Sequence, residues 1–179
     1  MNPDIRSPTS VIAALPSPDA VCFDEILREL QSEIRCIAPE KISVRFDGGE
    51  QTDTAPVALA PAAAEDLVRH LVVDAIDSMP DGGTLVLSVE PVSMKRGTRD
   101  WPHDLATGEY VLFSFCETHA PESAATETLA VMTPHSLLEK SRILSLSAAL
   151  EAIQRTGGRL SVTVQETEVT TCLLFPAAN

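Results

Sequence analysis

Five side chains in one short stretch have types that could act on a ligand: Glu65, Asp66, His70, Asp74 and Asp77. Asp66, His70, Asp74 and Asp77 recur at steps of four, four and three, which stacks them along one stripe of an α-helix. An imidazole and carboxylates at that spacing could bind a divalent metal. The same pattern also makes the solvated side of an amphipathic helix, and the residues support that reading first; metal ligands are therefore expected to be none. Other chemistries lack their residues. There is no Gly-x-Ser-x-Gly turn, no Walker loop and no dinucleotide fingerprint. Cys22, Cys36, Cys116 and Cys172 are scattered, with no Cys-x-x-Cys pair and no histidine spacing suited to zinc. Four buried, reduced thiols are the expectation.

The helix that must hold the stripe runs from Pro61 to Met79. Leu67, Val68, Leu71, Val72, Ala75, Ile76 and Met79 line its other side. Pro80 stops it, and Asp81-Gly82-Gly83 turns the chain into an alternating strand, Thr84 to Glu90. Upstream, a helix is expected over Phe23 to Ile37, with Ile26, Leu27, Leu30, Ile34 and Ile37 inward, followed by a strand over Lys41 to Asp47. Downstream, the spacing predicts a strand over Tyr110 to Cys116. A helix from Thr133-Pro134 to Gly157-Gly158 should follow, carrying Leu138, Leu146, Ala149, Leu150 and Ile153. A closing hairpin over Arg159 to Val164 and Val169 to Phe175 ends the pattern. The order suits an α/β two-layer sandwich, a mixed β-sheet with helices on one face.

Composition narrows the function. The chain has 179 residues, 44% of them hydrophobic, and a net charge of −13. That is one domain with room for a core, expected over residues 21–179 after a flexible leader at 1–20. The acidic balance opposes nucleic acid and anionic membrane surfaces as partners. Apolar runs are too short to span a bilayer, so a cytoplasmic protein is expected. Segment Glu117 to Thr133 is acidic, alanine-rich and expected to be mobile. The most basic stretch is Met94 to Trp101, which holds Arg96, Arg99 and the single tryptophan; it reads as a hairpin loop or a partner-binding one.

His70-Leu-Val-Val-Asp-Ala75, Ser78-Met-Pro-Asp-Gly-Gly-Thr84 and the strand after them resemble the N box of the ATP-binding domain of sensor histidine kinases, in the superfamily shared with gyrase, heat-shock protein 90 and MutL. Gly157-Gly-Arg-Leu-Ser-Val162 and Cys172-Leu-Leu-Phe-Pro176 look like the end of such a domain. The resemblance spans about Asp24 to Pro176 and implies a Bergerat-type ATPase fold. It also shows departures. His70 and Asp74 stand where the family has asparagines, the second of which helps hold magnesium.

The first glycine box falls on Glu117-Thr-His-Ala-Pro121. Glu117 replaces the acid that accepts the adenine amino group, and His119 and Pro121 occupy both glycine positions. The second falls on Ser141-Arg-Ile-Leu-Ser-Leu146, with no glycine at all. Main chain that must lie bare against phosphate there carries side chains instead. The resemblance therefore implies a histidine-kinase-like module without catalytic residues or a bound cofactor, Asp74 and Glu117 being vestigial contacts should ATP and magnesium bind. Its implied role is regulatory docking on a histidine kinase or response regulator in a two-component or phosphorelay pathway. Ile143, Leu144 and Leu146 form one expected contact surface, and Arg96, Arg99 and Trp101 another. The rival expectations are a divergent kinase domain that retains nucleotide, and an anti-sigma-factor-like binding protein.

Overall fold

The structure, a computed structural model, describes residues 20–47, 54–95, 105–120 and 143–178, with backbone alone over 143–148. Helix α1 spans Phe23–Ile37 and strand β1 spans Ile42–Asp47; helix α2 spans Pro61–Ser78 and strand β2 spans Gly83–Met94. Strand β3 spans Gly108–His119, helix α3 Ile143–Thr156, strand β4 Arg159–Gln165 and strand β5 Glu168–Pro176. The strands form one sheet in the order β1-β2-β3-β5-β4. β1 and β2 are parallel and every other pair is antiparallel. The sheet is mixed, as the order of elements required.

Helix α1 forms because its apolar residues keep helical spacing: Phe23, Ile26, Leu27, Leu30 and Ile34 are all buried. Asp24 and Glu25 in its first turn and Arg35 in its last complement the helix dipole. Helix α2 opens on Pro61, whose missing N–H costs nothing in a first turn. It ends before Pro80, since the residue preceding a proline is pushed out of helical geometry. The inward residues of β2, Leu85, Leu87 and Val89, and of β3, Val111, Phe113 and Phe115, meet these helices in one core. Phe113 is central there. Its ring lies 5.0 Å from Phe23 and 4.5 Å from Phe115, and Phe23 also stacks on Phe175 at 5.0 Å.

Several expectations are corrected. β2 runs on through Pro91 to Met94 instead of ending at Glu90. Its pairing with β1 ends at Ser88 among the described residues, so beyond that point a residue without an N–H is tolerated. β3 extends through His119, so Glu117 to His119 are strand rather than mobile loop. Ile37, expected on the apolar face of α1, is the last residue of that helix and is 44% exposed; Leu150 of α3 is 44% exposed as well. Cys36 is exposed and Cys22, Cys116 and Cys172 are only partly buried. The expected helix start at Thr133-Pro134 lies outside the described residues. So do the leader, except Ala20, and most of the segment from Glu117 to Thr133.

Candidate functional site

Helix α2 delivers its C-terminal turn to the end of β3, and there a carboxylate is buried. Odd-numbered residues of β3 face the helices, so Glu117 follows Phe113 and Phe115 onto the covered side and is 3% exposed. A buried carboxylate is costly unless it is hydrogen-bonded. Ser78, the last residue of α2, donates its hydroxyl to Glu117 Oε2 at 2.5 Å. The same hydroxyl lies 2.8 Å from the Ala75 carbonyl oxygen, and its single proton serves one acceptor at a time. His119 Nε2 stands 3.8 Å from the same Oε2. Asp74 sits one helical turn before Ser78 and is partly buried, so it shares that stripe of α2. Asp74, Ser78, Glu117 and His119 thus collect at one end of the molecule.

The backbone at this end is strapped down. Gly82 adopts φ +97°, a left-handed conformation in which a side chain is strained. Gly83 N–H donates to the Lys41 carbonyl at 3.1 Å, and Lys41 Nζ donates to the Pro80 carbonyl. A Cβ at Gly83 would collide with the Thr118 carbonyl oxygen and come within 2.9 Å of Met79 Sδ. The close approach that glycine permits is therefore used by the protein's own strands. At the end of β3, His119 N–H donates to the Thr167 carbonyl at 2.8 Å and Ala120 N–H to the Gly82 carbonyl at 3.1 Å. Pairing between β2 and β3 is continuous up to His119.

Along the rest of α2 the acids are answered by a residue that the stripe reading passed over. Arg69 bonds Glu33 of α1 at 2.9 Å, Glu65 at 3.1 Å and Asp66 at 3.8 Å. Its guanidinium holds the Glu33 carboxyl below the usual carboxylate range, while Glu33 raises Arg69 further. The signal was available: an arginine at i+4 and i+3 from two acids. Among the described residues no three His, Cys, Asp or Glu side chains converge closely enough to hold a metal ion. On the opposite face of the sheet, burial pushes the Cys116 and Cys172 thiols up.

Ser78 is the site residue that sequence reasoning quoted only as part of a motif. Its signal was position, since the last residue of α2 must face whatever the adjoining strand presents. Arg96, Arg99, Trp101 and Pro121 lie outside the described residues. Ile143, Leu144 and Leu146 lie in the first half of α3, where backbone alone is described. Among the described residues no helix is long and apolar enough to cross a membrane.

No family model matches the chain, and no curated protein matches it. Solved structures do. A mycobacterial sensor histidine kinase, MprB, superposes with a TM-score of 0.56 at 12% identity, over 89% of this chain and 97% of that one. The catalytic domain of histidine kinase ThkA gives 0.52 at 18% identity, over 88% and 92%. The histidine kinase domain of the Erythrobacter litoralis EL346 blue-light activated kinase gives 0.54 at 16% identity, over 93% and 67%. Identities this low carry the architecture and nothing finer. The chain has the fold of the catalytic, ATP-binding domain of histidine kinases.

Proposed function

We propose that this chain is a non-catalytic, histidine-kinase-like regulatory module of a two-component or phosphorelay pathway, acting by docking on a kinase or a response regulator. One observation carries the reading. The carboxylate at the position of the family's adenine-recognising acid is buried and engaged by Ser78, on a strand that pairs on through His119. An adenine amino group would have to displace Ser78 and reopen the end of β3 to reach it. The nucleotide does not fit these residues as they stand. Docking would instead use surface. The exposed side of α3 is the proposed contact, with Ile143, Leu144 and Leu146 in its first half and Leu150 44% exposed beyond them. The loop with Arg96, Arg99 and Trp101 is the second.

Titration calorimetry of the full chain with ATP and magnesium tests the lost site. No heat beyond dilution is expected; a micromolar binding heat would overturn the reading. The partner class is tested by capture from the source organism. Histidine kinases or receiver proteins among the captured chains support it, and sigma factors would favour an anti-sigma-like role. The rival, a divergent kinase domain that keeps its nucleotide, draws on Asp74 and Glu117 lying at the same end of the molecule. It requires the Ser78 contact to open when nucleotide arrives.

A further inference from the structure

Among the described residues the sheet has two edge strands, β1 and β4, and they differ in charge. Edge strand β1 carries Arg45 and Asp47, paired at 3.9 Å, and Arg35 covers the Phe46 ring at 5.5 Å. Charges on an edge strand discourage pairing with another chain. Strand β4 carries a charge only at its first residue, Arg159, and among the described residues none of the other usual devices. From Leu160 to Gln165 it holds no charged residue and no proline, and its register with β5 is unbroken, without a bulge. Ser161 to Gln165 are all exposed. Val162 and Val164 share the helix-facing side with Leu160, which packs on the core, yet they are 37% and 36% exposed. With Leu150 they make up three of the five large apolar side chains exposed among the described residues.

We propose that β4 is a homotypic pairing edge: a second copy of this chain adds its own β4 antiparallel, continuing the sheet across a two-fold axis at Val162. The occupant follows from the strand's own sequence. Antiparallel self-pairing about Val162 sets Val162 against Val162 and Leu160 against Val164 twice, so every cross-strand pair on the helix-facing side is apolar. On the other face Ser161 meets Thr163, a hydroxyl pair. The ends match in charge. Arg159 faces Gln165 of the second copy and adjoins its Glu166, and the two-fold repeats that contact. A chain of net charge −13 repels itself over most of its surface, but Arg159–Gln165 contains no acid. An isologous edge also closes after two copies, which prevents growth into a fibre.

Sedimentation of the full chain across the micromolar range tests this. A concentration-dependent monomer–dimer equilibrium is expected, and Val162→Lys, which sets two ammonium groups opposite each other, should weaken it by about tenfold or more. Circular dichroism verifies that the variant stays folded. Covalent capture reads the same geometry without relying on that variant. Val162→Cys should give an oxidised dimer whose bridge joins the two introduced thiols. Val73→Cys, at a more exposed position on α2, should not. A chain that stays monomeric, assembly beyond a dimer, a dimer that Val162→Lys leaves unchanged, or equal capture at both positions would each overturn the proposal. None of these outcomes depends on nucleotide binding or on a signalling partner.

Discussion

Two carboxylates are buried among the described residues, Asp24 and Glu117, at opposite ends of the sheet, and they are held in different ways. Asp24 lies in the first turn of α1, where the helix dipole favours a negative charge. Thr54 donates to it at 2.5 Å and Arg28 stands 3.5 Å away. A cavity of about 20 Å³ beside it, bounded by Leu27, Phe46 and Val89, has room for about one water. Glu117 is just as buried but has a serine hydroxyl at hydrogen-bond distance and a histidine nitrogen at 3.8 Å. Asp24 is a structural clasp with a charge partner built in. Glu117 is held across two elements, by Ser78 at the end of α2 and beside His119 on its own strand.

Four changes test that contrast. The largest effect is expected at Gly83→Val, at the Glu117 end. Any side chain there drives into the Thr118 carbonyl, and a loss of about 3 kcal/mol or more is expected in denaturant unfolding. Asp24→Ala comes next, leaving the buried Thr54 hydroxyl and the Arg28 charge without their acceptor, for a cost of about 1–3 kcal/mol. Glu117→Gln should be neutral or stabilising within about 1 kcal/mol, because an amide keeps the Ser78 hydrogen bond and removes the buried charge. A Glu117→Gln loss as large as that of Asp24→Ala would erase the distinction.

The smallest effect is expected for Arg69→Ala, on a surface cluster that salt screens. Its sign with pH is fixed. Arg69 depresses the Glu33 carboxyl below its ordinary value of 4.5, so the pair's stabilisation is present above that pH and is lost as pH falls through the lower folded value. The difference between wild type and Arg69→Ala should therefore fade in acid melts and in high salt.

Which parts of this were legible follows from what each signal measures. Periodicity recovered α1, α2 and the β4–β5 hairpin because their inward faces run uninterrupted, and the bounds of α1 agree with expectation. It put Ile37 with the buried residues of α1 because spacing shows which stripe a residue shares, not whether the neighbouring layer reaches it. Pro91 stopped the expected strand early, since whether a proline is tolerated there depends on where pairing with β1 ends. At the site, the departures at Glu117 and Asp74 could be read from residue types alone. The Ser78 contact could not, because it joins residues 39 apart in the chain and needs α2 laid over β3.

Val57 makes bridges to two partners, Val21 and Ala177. The Val21 link has hydrogen bonds of 3.0 and 2.8 Å, and Ala178 N–H reaches the Pro56 carbonyl at 2.6 Å. The segment leading into α1 and the segment leaving β5 are therefore fastened to the same short rail. A load or a fused protein attached at either place would be borne by that rail, and loosening one attachment would slacken the other. Entry and exit at a common point would let this unit be joined in either order, or set within a host loop, without spreading the sheet apart.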